Sequence, residues 1–258
     1  MSKQKRVIIK NKKKSQQEIQ EEVFEMEQQQ YNISRGSILS EIKVNIKCKT
    51  ENQKKFLKLI RENEIIICSG NAGTGKTFLA ISEALNLIKQ NNSVYKKIVL
   101  IKSVTPLKGE EVGFLKGSID DKMLPFMYSF MANFYKIIGK TLSDNLKEQN
   151  IIEVLPIAFI RGLSIDNAII IIDEAQNVSF DNMESILTRI GENSKMIIIG
   201  DTKQIDIKNK KESSLSVISE SFENTDKFGI IQFSKEDQVR NPLINKIEEI
   251  FDKIKEKK

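Results

Sequence analysis

Gly70-Asn71-Ala72-Gly73-Thr74-Gly75-Lys76-Thr77 fits the pattern G-x-x-x-x-G-K-[ST] without mismatch, and its reading decides the fold. The glycines let backbone amides turn inward around phosphate oxygens, and a helix N-terminus directly behind them adds its dipole. In this pattern Lys76 reaches the β- and γ-phosphates and the Thr77 hydroxyl holds Mg²⁺. The context agrees. The apolar run Ile65–Cys68 precedes the loop as a strand, and Phe78–Ile88 follows it with helical spacing. A plain glycine-rich turn would need neither neighbour.

Outward from the loop, apolar runs and helical stretches alternate. Strands are predicted at Glu64–Cys68, Ile98–Ile101, Ala168–Ile172, Met196–Ile199 and Gly229–Phe233. Several are unbroken β-branched runs, as in strands buried on both faces of a parallel sheet. Thr50 opens a helix carrying Phe56, Leu57, Leu59 and Ile60. Before it, Ile42, Val44, Ile46 and Cys48 alternate with polar residues and predict a strand with one wet face. Ser15–Gln30 has a weakly amphipathic helical pattern, and Ile247, Ile250, Phe251 and Ile254 mark a C-terminal helix with a charged outer face. The division expected is residues 1–50 as arm, helix and short strand, and 51–258 as one nucleotide-binding domain.

Composition narrows the chemistry. With 258 residues, 40% of them hydrophobic, one sizeable core is expected. No histidine is present, which excludes imidazole acid–base catalysis and histidine metal ligands. Residues 1–14 supply seven of the 41 bases and none of the acids, so the net +6 resides in this arm and the rest is near neutral. Such an arm suits polyanions, or is a solvated tail. Cys48 and Cys68 give no disulfide framework, and the apolar runs are too short for a membrane span. A cytoplasmic protein is expected.

Ala168-Ile169-Ile170-Ile171-Ile172-Asp173-Glu174-Ala175-Gln176 is an apolar strand ending in acids. Asp173 is placed to bind Mg²⁺ through water, and Glu174 to polarise the attacking water. Alone, an acid here could merely cap the next helix. Gly200-Asp201-Thr202-Lys203-Gln204 follows another strand, so Gln204 would face the γ-phosphate as a sensor; Gly-Asp is also ordinary turn chemistry. Gln53 has two readings, which stay open. Thr50-x-x-Gln53 is a capping box, and a glutamine amide also matches the N6 and N7 edge of adenine. Asn209-Lys210-Lys211-Glu212 ends in the wrong acid for guanine recognition.

These blocks together resemble the PhoH-like family of ATPases. The match runs from about Gln53 to the helix after Pro242 and includes Gly113-Phe114-Leu115, Arg161-Gly162, Asp173 to Asn177, Leu187 to Gly191, Gly200 to Asp206 and Val239-Arg240-Asn241-Pro242. The family is similar to the first motor domain of superfamily 1 helicases. That resemblance implies that Gln53 reads adenine, that Gln204 couples hydrolysis to movement and that Arg240 contacts the γ-phosphate. It also implies assembly into a ring, with a hexamer as the model, and RNA helicase activity. Lys102 to Lys108 stands where the family has an Arg-Pro-rich segment, which leaves strand specificity open.

The expected fold is a three-layer α/β/α RecA-like domain with a mainly parallel sheet and ATP at its C-terminal edge. Hydrolysis also needs a positive charge on the far side of the transferred phosphate. Arg240 is the candidate in its own site. Arg189, expected on the helix after the acids that end the Ala168–Ile172 strand, could project into a neighbour's site, or could instead form a surface ion pair with Glu184 or Glu192. Two functions remain: an ATPase or helicase stimulated by RNA or single-stranded nucleic acid and working as a homo-oligomer, and an ATP-driven switch acting on a protein.

Overall fold

Unbroken runs of Ile, Val and Leu can be satisfied only where both faces of a strand are covered, and the sheet answers that demand. The computed structural model describes residues 34–102, 119–157, 160, 162–202, 204–205, 213–239 and 242–255. Backbone packing separates residues 1–41, of which 34–40 are helical, from the unit Ile42–Lys258. Among its described residues the larger unit holds six strands: β1 (Ile65–Gly70), β2 (Lys97–Lys102), β3 (Ile152–Pro156), β4 (Ala168–Asp173), β5 (Lys195–Gly200) and β6 (Phe228–Phe233). Their order is β3-β2-β4-β5-β1-β6, and every neighbouring pair is parallel. Inserting β5 between β1 and β4 gives the RecA-like arrangement.

Among the described residues of this unit, seven α-helices accompany them: α1 (Glu51–Glu62), α2 (Lys76–Ile88), α3 (Ile119–Ile138), α4 (Lys140–Glu148), α5 (Phe180–Leu187), α6 (Leu215–Ser221) and α7 (Pro242–Lys255). Strand side chains alternate between faces. Ile65, Ile67, Val99, Ile101, Ile170, Ile172, Met196 and Ile198 pack with Met183 and Ile186 of α5 and Leu215 and Ile218 of α6. The opposite face meets α2, which packs on β2, β4 and β5 and is buried along most of its length. Two helical layers thus enclose the sheet. Thr50 caps α1 by accepting the Gln53 N–H. The Arg61 guanidinium makes two bonds to the buried Glu83 carboxylate, at 2.6 and 3.0 Å, tying α1 to α2.

Five strands stand where the apolar runs predict them. Two differences have simple causes. Residues 42–49 form no ladder, although Ile42 is buried and Lys43, Asn45 and Lys47 are exposed. Alternation fixes the sidedness of an extended segment, but it does not specify the partner that a ladder also needs. Strand β3 was not anticipated, because it is short, half-buried and ends on Pro156, a composition that only a sheet edge tolerates. The C-terminal helix forms as its spacing predicts, yet Leu243, Ile247, Ile250, Phe251 and Ile254 are exposed. The segments 1–30 and 103–118, which include the basic arm, its helix and Gly113-Phe114-Leu115, lie outside the described residues. No described helix is long and apolar enough to cross a membrane.

Lys195 starts β5 at the end of the sheet away from the loop of Gly70–Thr77. It is 4% exposed, and its ammonium donates to the Asn63 carbonyl. Burial lowers its pKa from 10.5 to about 8, against the pull of Glu64. A base whose folded pKa lies below its unfolded one destabilises the fold fully below the lower value, and the penalty fades as pH rises toward the higher. Relative to Lys195→Met, the wild type is expected to gain on the order of 1 kcal/mol between about pH 8 and pH 10. Urea midpoints across that range check this; parallel pH profiles would contradict it.

Candidate functional site

The chain leaves β1 through Gly70, whose φ of 138° only glycine accepts readily, and turns into α2 through Gly73 and Gly75, both left-handed. Gly75 caps α2 with no side chain over its amides, so the first N–H groups of the helix lack an intrahelical partner. They border a cavity of about 300 Å³ at the C-terminal edge of the sheet. Its wall joins Ala72 to Phe78 with Asn133, Asp173, Glu174, Asp201 and Gln204.

Lys76 is buried, and its Nζ donates to the Gly70 and Asn71 carbonyls at 2.7 and 2.8 Å. Burial lowers its pKa, opposed by the charges of Asp201, Asp173 and Glu174. A cation held at a cavity mouth by two carbonyls of its own loop is poised to trade them for phosphate oxygens. The Thr77 hydroxyl donates to Asp173 Oδ1 at 3.2 Å. Two hard oxygens, one neutral and one anionic, therefore converge from α2 and β4, a donor set that suits Mg²⁺. Burial pushes the Asp173 carboxyl above its ordinary range, and Glu174 adds to the effect; Lys102, the Glu174 N–H and the Thr77 hydroxyl act the other way. Lys102 is the register partner of Asp173 at the end of β2, and its Nζ donates to Ser129 Oγ at 3.0 Å.

Glu174 follows β4 in the left-handed conformation (φ 56°, ψ 37°). This costs roughly 1–2 kcal/mol in a residue with a Cβ and turns its side chain away from the direction of Asp173. Its carboxylate accepts the Gln176 side-chain N–H at 2.7 Å. Gln204 lines the cavity through a turn in which its N–H donates to the Asp201 carbonyl at 3.0 Å, so turn chemistry is what places it there. Asp201 is buried and accepts the Ala72 N–H at 2.9 Å, clamping the phosphate loop to the end of β5.

Gln53 is 3% exposed. Its amide donates to the Thr74 carbonyl at 3.0 Å, and its oxygen accepts the Lys49 N–H at 2.6 Å. Thr50 caps the helix, but the reciprocal bond goes to Lys49 rather than to the cap residue, and the other end of the amide braces the loop. Arg189 lies past the end of α5, not on the helix. Its neighbour Ile190 bridges to Ile165, which precedes β4, so Arg189 stands at the opposite edge of the sheet from the cavity. Its guanidinium donates to the Ser185 carbonyl and the Thr188 hydroxyl, and among the described residues it pairs with neither Glu184 nor Glu192. Arg240, Lys203 and Arg161 lie outside the described residues. The chain just before Arg240 reaches the loop, with the Val239 N–H donating to the Gly73 carbonyl at 3.1 Å.

Lys76, Thr77, Asp173, Glu174 and Gln204 are thus brought together from three strand ends. Asn133, Asp201 and Gln176 were missed as site residues. The last two stand inside blocks already singled out, but the contacts that tie them to the phosphate loop and to each other span 129 and 25 residues.

The sequence model of the PhoH-like proteins matches residues 45–252. A PhoH-like protein of Bacillus subtilis is 37% identical over 209 residues, covering 81% of this chain and 65% of the relative. Protein PhoH of Escherichia coli K12 is 34% identical over 202 residues, covering 77% of this chain and 56% of the relative. The chain therefore spans less than two thirds of each of these relatives. Among solved structures, the large terminase of a thermophilic bacteriophage aligns with 77% of this chain and 49% of its own, at a TM-score of 0.47 and 11% identity.

Proposed function

This chain belongs to the PhoH-like family and has a nucleotide-binding P-loop ATPase fold, and on that premise we propose that it hydrolyses ATP in a Mg²⁺-dependent reaction. The observation that carries the proposal is the convergence of the loop amides, Lys76, the Thr77–Asp173 pair and Glu174 on one cavity. The amides of Gly70–Thr77 receive the phosphate chain, and Lys76 neutralises its β- and γ-oxygens. Thr77 and Asp173 would hold Mg²⁺, which when bound supplies charge neutralisation at the transferring phosphoryl group. Glu174 orients water for in-line attack, Gln204 senses the γ-phosphate, and Arg240 supplies the far-side charge. Gln53 steadies the loop and, by exchanging its present partners, could read adenine.

We extend the proposal to coupling with RNA or single-stranded nucleic acid in a cytoplasmic homo-oligomer. The seven bases in residues 1–14 support a polyanion partner. Both cysteines are free thiols, as expected in a reducing compartment. Arg189, placed at the opposite edge of the sheet from its own cavity, is a candidate for a neighbour's site. One assay series tests these readings: ATP turnover with Mg²⁺ or EDTA, with and without RNA or single-stranded DNA, and with Arg189→Ala. Expected are loss of turnover in EDTA, stimulation by nucleic acid, and a slower Arg189→Ala. Turnover indifferent to Mg²⁺ would overturn the metal dependence, and no turnover under any of these conditions would overturn the hydrolytic reading. Turnover indifferent to nucleic acid would favour a protein-directed switch, and a fully active Arg189→Ala would remove that residue from catalysis.

A further inference from the structure

Gln176 lies on the short 3-10 turn Ala175–Asn177 behind β4, and no part of it reaches solvent. Both ends of its amide are committed. Its Oε1 accepts the Asp201 backbone N–H at 2.9 Å, and its Nε2 donates to Glu174 Oε2 at 2.7 Å. The first contact dictates the second. A backbone N–H can only donate, so the oxygen must face Asp201 and the NH₂ group must face Glu174. Rotating the buried amide would bring two donors together at Asp201 and two acceptors together at Glu174. Gly200 leaves the room this requires, since a Cβ there would stand 2.7 Å from the same Gln176 oxygen. Asp201 in turn holds the Ala72 N–H. A continuous line of hydrogen bonds therefore joins the Glu174 carboxylate to the phosphate loop through Gln176 and Asp201.

We infer that Gln176 is a positioning residue that fixes the Glu174 carboxylate relative to the phosphate-binding loop. The inference rests on the reading of Glu174 as the group that orients the attacking water. Gln176 acts only through that carboxylate and exchanges no proton itself. A neutral amide suits the task, because it holds an anion without supplying a counter-charge that would compete for it. A merely structural tie between the β4 turn and β5 would need the Asp201 contact alone, and the two roles can be separated.

Gln176→Glu keeps the length of the side chain and an oxygen for the Asp201 N–H, but it turns an acceptor toward Glu174 in place of the donor. The measurements are single-turnover ATP hydrolysis, ADP binding and thermal unfolding, all on the full chain. The hydrolytic rate is expected to fall about 10- to 100-fold, as when a reacting group is misplaced by about 1 Å. ADP affinity should stay near wild type, while the unfolding midpoint falls because a second carboxyl is buried against Glu174. The double variant Glu174→Gln/Gln176→Glu should hydrolyse ATP no more slowly than Glu174→Gln alone, because nothing remains to be positioned. Gln176→Met, similar in length and lacking both polar contacts, serves if the first variant does not fold. A wild-type rate in Gln176→Glu, an extra loss in the double variant, an equal loss in ADP binding, or failure of both single variants to fold overturns the inference. A wild-type rate in Glu174→Gln would instead remove the reading of Glu174 on which it rests.

Discussion

Glu174→Gln is expected to bind ATP as the wild type does and to hydrolyse it about 10² to 10⁴ times more slowly, whereas Lys76→Ala is expected to lose both. The difference follows from where the two groups stand. The Lys76 ammonium sits in the phosphate loop, bonded to the Gly70 and Asn71 carbonyls, and in the proposed reaction its charge would meet phosphates already present in the ground state. Glu174 lines the same cavity from the turn after β4, held by Gln176, and in the proposed reaction it would act on the attacking water rather than on the bound phosphates. An interaction made only in the transition state lowers turnover and leaves binding intact. Titration with a fluorescent ATP analogue and single-turnover phosphate release separate the two. If Glu174→Gln turns over at the wild-type rate, the assignment of the water-orienting role is wrong. If Lys76→Ala binds nucleotide normally, the loop does not hold the phosphates in the way argued.

Gly70→Ala is expected to destabilise the protein by about 2–4 kcal/mol, from overpacking together with a backbone conformation that disfavours a side chain. A Cβ at this position would lie 2.4 Å from the Phe233 carbonyl oxygen and 2.8 Å from its nitrogen. Those are backbone atoms of β6, paired in register with Gly70, so no rotamer change relieves the clash. Either β1 and β6 part at the entrance to the loop, or the loop itself shifts. Both outcomes should appear as a fall of several degrees in the unfolding midpoint, with weaker ADP binding. A midpoint unchanged from wild type would mean that the β1–β6 contact at this point is looser than drawn.

The sequence by itself determined the parts whose signal is local. The glycines, Lys76 and Thr77 carry the phosphate loop within eight residues, because left-handed turns and a helix N-terminus are specified by the residues that form them. The apolar runs marked five of the strands, since covering both faces requires unbroken hydrophobicity. The acids after Ile172 marked the end of β4 that borders the cavity. Tertiary structure decided everything that depends on partners distant in the chain. Strand order placed β5 between β1 and β4, which brought Asp201 to Ala72 across a separation of 129 residues. It also carried Arg189 to the opposite edge of the sheet, where spacing alone could not have put it. Gln53 offered a cap and an adenine reader on paper, and in the fold its amide braces Thr74. Residues 42–49 kept the alternation of a strand and found no ladder. Local conformation is set by sterics within a few residues. Which donor meets which acceptor is set by the packing of the whole sheet, and no short stretch of sequence contains that information.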